Sequence, residues 1–180
     1  MNCPFGIKTS KLISDYSYLL NGKRNALDIG CAHGSNSICL SRLGLDVTAV
    51  DKDIPEDFST DNIHITKANI LDFKFDRYDI VLALNVLQFL DKENQSQILN
   101  KICFAMNKEG VLFVTSFTDK DPDYKISKKV IGCFKENELY NFAKDNGLKI
   151  IHYVEKTIED NHEPYGPHKH SIVELVAQKI

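Results

Sequence analysis

The sequence predicts an α/β protein built on one doubly wound, mostly parallel sheet that closes in an antiparallel hairpin. Three features carry that prediction. Short apolar or β-branched runs alternate with segments of helical period along the 180-residue chain, as parallel strands joined by right-handed crossovers require. Tyr78 to Leu84 is apolar on both faces after Asp79, as a strand covered on both sides must be. The last two β-runs have nothing helical between them, so they pair antiparallel.

Each element follows from its own local signal. Ala26-Leu27-Asp28-Ile29 is the first strand, closed by Gly30. Ser37 to Leu43 carries Ile38, Leu40 and Leu43 and stops at Gly44, a short helix with glycine at C′. Val47-Thr48-Ala49-Val50 is β-branched and ends at Asp51, the second strand. Ile63 to Ala68 is the third and Tyr78 to Leu84 the fourth. Asp91 caps a helix whose Ile98, Leu99, Ile102, Cys103, Ala105 and Met106 fall on one stripe. Val111 to Phe117 is the fifth strand, and Lys135 to Asn146 a helix halted by Gly147, with Leu139, Phe142 and Ala143 inward. Leu148 to Val154 and Ser171 to Ala177 are the closing strands. The polar, proline-bearing stretch Glu159 to His170 between them reads as a loop.

Length and composition narrow the functional classes. At 43% hydrophobic and 26% charged residues the chain has ordinary globular composition and the length of about one domain. Twenty-two basic against 25 acidic side chains leave a net charge of −3, which argues against a nucleic-acid-coating role. No apolar stretch reaches the ~20 residues of a membrane span, and Met1-Asn2-Cys3-Pro4 opens no signal sequence, so no membrane partner is expected. The five widely spread cysteines, Cys3, Cys31, Cys39, Cys103 and Cys133, read as reduced thiols of a cytoplasmic protein.

In such sheets ligands sit at the carboxyl ends of the strands. There the chain places Gly30-Cys31-Ala32-His33-Gly34, whose small residues permit a tight turn and close backbone approach. The next helix then presents free N–H groups to a partly negative ligand. About 20 residues on, Asp51 offers a carboxylate that can accept both hydroxyls of a ribose. Together these features indicate a nucleoside-containing cofactor. The small residues fall as G-x-A-x-G, not G-x-G-x-x-G, because Ser35 stands three residues after Ala32, so a nicotinamide dinucleotide is disfavoured.

Leu27-Asp28-Ile29-Gly30-Cys31-Ala32-His33-Gly34, Val50-Asp51, Tyr78-Asp79-Ile80-Val81 and Gly110-Val111-Leu112 resemble the successive motifs of class I S-adenosyl-L-methionine (SAM)-dependent methyltransferases. The terminal hairpin is also a mark of that Rossmann-like fold. The resemblance spans about Phe5 to Gln178. Within the class, the chain is similar to the TehB-like tellurite-resistance group through Phe5-Gly6-Ile7, Gly34-Ser35-Asn36-Ser37, Leu45 to Lys52, Val86 to Leu90, Phe134 to Leu139, and His168-Lys169-His170 with Leu175-Val176-Ala177.

The resemblance implies SAM as cofactor and one domain over 1–180. Residues 1–24 would form an N-terminal lid, and 118–134 and 159–170 the acceptor-side loops. It implies that Gly30, Ala32 and Gly34 line the methionine portion, with Asp28 reaching its amino group and Asn36 among the cofactor contacts. Asp51 would hold the ribose, assisted by Lys52 or Asp53. Asn69 stands where the family usually has an aspartate facing the adenine amine, and Ile70 would pack on the ring. Leu84 and Asn85 would meet the methionine moiety through backbone groups. His168, Lys169 and His170 would position an anionic acceptor or take a proton, which makes His168 and His170 the candidate catalytic residues.

Three departures stand out. Ala32 replaces the middle glycine, Asn69 replaces an acid, and only eleven residues separate Asp51 from Ile63, too few for the usual long helix. One sheet face would be thinly covered there, for a partner or the N-terminal segment to fill. Other residues have plainer readings. Asp79 is balanced between a functional and a structural role, Gln88 and Phe89 belong to a core turn, and Cys31 is a small apolar filler. His33 and the lysines Lys125, Lys128 and Lys129 are solvated. His162, His168 and His170 with Asp160 and Glu163 offer metal-donor types. No further His or Cys pair completes a tetrahedral set, so no metal is expected.

The expected function is SAM-dependent methyl transfer to a small-molecule acceptor, with a soft anionic nucleophile (a thiol, selenium or tellurium species) needing no strong base. O- or N-methylation of a small metabolite and a non-catalytic SAM-binding module are the alternatives. Nucleic-acid methylation is disfavoured, since the chain has neither a basic face nor an N/D-P-P-Y tetrapeptide. A monomer or homodimer is expected.

Overall fold

Seven strands emerge from the strand–helix alternation: β1 Asn25–Ile29, β2 Asp46–Asp51, β3 Ile63–Lys67, β4 Tyr78–Leu84, β5 Met106–Phe117, β6 Leu148–His162 and β7 Gly166–Lys179. They are seen in a computed structural model that describes residues 9–55, 62–162 and 166–180. The strands lie in one sheet in the order β3-β2-β1-β4-β5-β7-β6. Pairs among β1 to β5 are parallel. β7 pairs antiparallel with both β5 and β6. The chain turns back across the sheet between β1 and β4, the switch point where such sheets bind ligands.

Helices cover both faces: α1 Lys11–Asp15 and α2 Ser35–Arg42 on one, α3 Lys92–Ala105 and α5 Glu138–Asp145 on the other. Strand alternation divides the core accordingly. Leu27 and Ile29 of β1 join Val81, Leu112, Ile98, Ile102 and Leu139. Ala26 joins Val47, Ile80, Leu82, Phe113 and Leu40. Leu12 and Ile13 of α1 share the second cluster with Ile63 and the partly buried Ile54 and Ile65. Helix α1 thus takes part in the core on this face of the sheet. Asp91 caps α3 as its sequence requires, its Oδ1 accepting the Asn94 N–H at 2.8 Å.

Some expectations are corrected. The described residues of 159–170 are strand, not loop: β6 and β7 stay in register out to Asn161↔Pro167 and His162↔Gly166. Both faces of this extension are polar, so it lacks the apolar alternation of a strand. Cross-strand opposites such as Lys169 and Glu159, 3.5 Å apart, support the pairing instead. The stretch 118–134 contains a short helix, α4 Pro122–Ile126, and its ends are tied by a bridge between Thr118 and Phe134. Helix α5 starts at Glu138, because its side chain accepts the Lys135 N–H at 2.7 Å and holds the preceding residues in a turn. Cys31, Cys103 and Cys133 are free, whereas Cys39 is disulfide-bonded and departs from the reduced-thiol expectation.

Candidate functional site

The turn after β1 is fastened to the end of β2. Gly30 N–H and Cys31 N–H both donate to the Val50 carbonyl, at 2.8 and 3.3 Å, and Gly34 N–H closes the turn on Cys31 O at 2.8 Å. Gly30 has φ +71°, and a Cβ there would stand 2.5 Å from Val86 Cγ2, so the position requires glycine. Ala32 takes the left-handed region as well, at φ 47°, which costs a residue with a Cβ roughly 1–2 kcal/mol.

Asp51 lies against this turn. One carboxylate oxygen accepts the Ala32 N–H and the other the Asp53 N–H, each at 3.0 Å. A carboxylate has about four lone-pair sites, so acceptor capacity remains for hydroxyl donors. Asp28, on β1, is almost fully buried and accepts a 2.6 Å hydrogen bond from the Ser37 hydroxyl of α2. Burial pushes its carboxyl up to about 6; the Ser37 bond opposes that rise and the Asp51 charge adds to it.

The remaining expected contacts have mixed surroundings. Asn36 Oδ1 accepts the Ser10 N–H at 3.0 Å and so ties the N-terminal segment to α2. Lys52 is exposed and 3.9 Å from Asp53. Asn69 Oδ1 accepts the Leu71 N–H at 3.1 Å, one of its two lone pairs, and Ile70 is packed in the core. Leu84 ends β4, and Asn85 follows in the left-handed region at φ 56°, held to Thr115 by two hydrogen bonds of 2.8 and 3.1 Å.

His168 and His170 form a second group on β7, three strand positions from β1, or roughly 14 Å along the sheet. Antiparallel pairing of Phe117 with Ile172 puts this part of β7 at the carboxyl end of β5. His170 is buried, stacks on Phe117 with ring centres 4.5 Å apart, and sets Nδ1 3.0 Å from the buried Asp121 Oδ2. Its Nε2 is 3.0 Å from His168 Nε2. A cavity of about 280 Å³ beside the hairpin is lined by Thr118, Lys120, Lys156 and Ser171 among others. Its lysines are already paired with Glu136 and Glu174, at 3.0 and 2.8 Å.

Sequence reasoning missed Ser37 and Asp121. Ser37 was within reach as a polar residue on the first turn after a glycine bend; Asp121 had no local signal. Asp79 resolves as structural: it sits at the amino end of β4 and accepts from Arg24 N–H and Asn107 Nδ2 at 2.9 and 2.8 Å. Burial opposes its ionisation, but these bonds together hold its carboxyl below the usual range. Gln88 is likewise a clip, accepting from the Ser116 hydroxyl at 3.1 Å and from Ile131 and Gly132 N–H groups at 2.9 and 3.1 Å. Burial pushes the Cys31 thiol up to about 12, in keeping with a filler. Phe5-Gly6-Ile7, Lys8 and Glu163 lie outside the described residues.

Comparison with known proteins places these features in a family. The family model described as tellurite resistance protein TehB matches residues 9–163. The protein named probable S-adenosyl-L-methionine-dependent methyltransferase TehB, from Haemophilus influenzae, is 30% identical over 129 residues, covering 66% of this chain and 44% of that protein. Carboxy-S-adenosyl-L-methionine synthase of Staphylococcus epidermidis is 26% identical over 158 residues, covering 84% of this chain and 58% of its own length. The chain therefore spans about half the length of these curated relatives. The crystal structure of TehB from Haemophilus influenzae superposes with a TM-score of 0.77 at 23% identity, over 96% of this chain and 63% of that one. That likeness shows the shared fold.

Proposed function

The chain belongs to the TehB family and carries the class I methyltransferase fold, and from that premise we propose that its β1 turn binds SAM and directs the sulfonium methyl to a small acceptor. One observation carries the reading: the Asp51 carboxylate bonds to the Ala32 N–H of the turn itself, so a ribose-binding acid and a close-approach backbone share one site. The names of the two curated relatives, both S-adenosyl-L-methionine enzymes, support the same cofactor.

The residues present suit that group. Asp51 keeps acceptor capacity for two ribose hydroxyls. Asp28, buried, offers a counter-charge to a cationic amino group in its carboxylate form, and Gly30, Ala32 and Gly34 let the chain approach closely. Leu84 and Asn85 would meet the methionine moiety through backbone groups and Asn69 the adenine amine, with Ile70 packing beneath the ring from the core. When bound, the cofactor supplies a methyl on cationic sulfur: an acceptor lone pair forms the new bond to carbon, and the S–C pair returns to sulfur as a neutral thioether. Such chemistry needs alignment and a dry site more than a strong base, and alignment alone is worth ~7–11 kcal/mol. The acceptor we favour is a soft anion, a thiolate or a selenium or tellurium species, in keeping with the family description.

A second reading has its own observation. Asp121, His170 and His168 form a carboxylate–imidazole–imidazole chain, an arrangement able to take a proton from an oxygen or nitrogen acceptor. The test is release of S-adenosylhomocysteine from purified protein and SAM with a thiol, selenite or tellurite. Release with a soft anion, retained in His168→Ala, is the expected result. Release lost in His168→Ala at every pH indicates the base-dependent reaction, and no release with any acceptor contradicts methyl transfer.

A further inference from the structure

The end of the hairpin carries a feature that methyl transfer to a soft anion does not need. His168 and His170 are two apart on β7, so both project from one face. Asp160 is the antiparallel partner of His168, which sets its carboxylate on that face too. One donor atom from each of the three lies within 4.8 Å of the others.

The hydrogen bonds fix the ring tautomers. His168 Nδ1 is 2.7 Å from the Gly166 carbonyl, which can only accept, so that nitrogen carries a proton. His170 Nδ1 is 3.0 Å from Asp121 Oδ2, and the same oxygen accepts the Ser171 N–H at 2.8 Å, so it acts as an acceptor and His170 Nδ1 is also protonated. In neutral rings both Nε2 atoms then carry lone pairs, and these face each other at 3.0 Å. Two facing lone pairs repel unless a cation lies between them.

That cation is either a shared proton or a metal ion. Three points favour the metal. Tetrahedral zinc with Zn–N bonds of 2.0–2.1 Å holds two ligand nitrogens about 3.3 Å apart, close to the spacing seen. Metal-binding histidines characteristically donate their other ring N–H to a carboxylate or backbone carbonyl, the two partners present here. A shared proton needs no third donor, whereas Asp160 supplies one.

We propose that Asp160, His168 and His170 bind a first-row divalent cation, with zinc preferred by the nitrogen-rich donor set. Asp121 and Gly166 orient the two rings. The proposal goes beyond the methyl-transfer reading and does not depend on it, because the readout is metal uptake without SAM.

The experiment titrates zinc into the metal-stripped full chain against a zinc-sensitive dye. One-to-one uptake is expected. His168→Ala and Asp160→Asn, both on the polar hairpin end and away from the core, are each expected to weaken it tenfold or more while leaving the folded circular-dichroism spectrum intact. Asp121→Asn, acting through His170, is expected to weaken uptake by 10–100-fold. Absence of one-to-one uptake, or uptake undiminished in the His168→Ala and Asp160→Asn variants (as binding at the free thiols would give), overturns the proposal and leaves a shared proton between the rings.

Discussion

Asp28 shows how one side chain links folding to function. Its carboxyl titrates near 6 in the folded chain, against 3.8 for the unperturbed group. Between those values the folded state holds more protons than the unfolded state, so this residue lowers stability as pH rises through the window. By pH 7 the cost is about 3 kcal/mol. Asparagine keeps an acceptor for Ser37 and cannot ionise. Asp28→Asn is therefore predicted to gain stability relative to wild type between pH 4 and pH 7, by up to about 3 kcal/mol, as measured by urea unfolding at both values. A constant difference across that range contradicts the assignment. Asp51 was legible at this scale because a strand ending in an acid, one β-unit after a glycine bend, is a local pattern. Asp121 was not, because it meets His170 across 49 residues and only the fold brings them together.

The turn between β1 and α2 is the element on which the site rests, and it departs from the family pattern at Ala32. Its left-handed backbone suits glycine better than alanine, although glycine gives up more chain entropy on folding. Ala32→Gly is predicted to stabilise the protein by roughly 0.5–1 kcal/mol, a rise of about 2 °C in Tm by calorimetry. A lower Tm would show that the methyl group makes contacts outweighing the strain. The hairpin teaches the opposite lesson about legibility. The inner parts of β6 and β7 announce themselves by Ile, Val and Leu. Their outer ends, Glu159 to His162 and Gly166 to Lys169, have no apolar alternation, so pairing rather than burial defines them. The extension carries His168, His170 and Asp160, so the described part of a stretch that reads as a loop is paired strand and holds the cluster.

At the scale of the molecule, the alternation of periodicities was enough to give seven strands and the closing hairpin, because buried parallel strands leave dense apolar runs. The strand order adds what periodicity cannot encode: β1 stands between β2 and β4, which puts the Gly30–Asp51 junction at the switch point of the sheet. Leu12 and Ile13 of α1, far away in sequence, join Ile63 and Ile54 in one core cluster on that sheet face, which only the fold brings about. The proposed methyl transfer depends on the glycine turn and Asp51 acting together on an adenosyl ligand. Isothermal titration of SAM into wild type and Asp51→Ala at pH 7.5 tests it. The prediction is one-to-one binding by wild type, weakened at least tenfold in the variant while its unfolding transition stays cooperative. No heat of binding in wild type, or equal affinity in the two proteins, would contradict it.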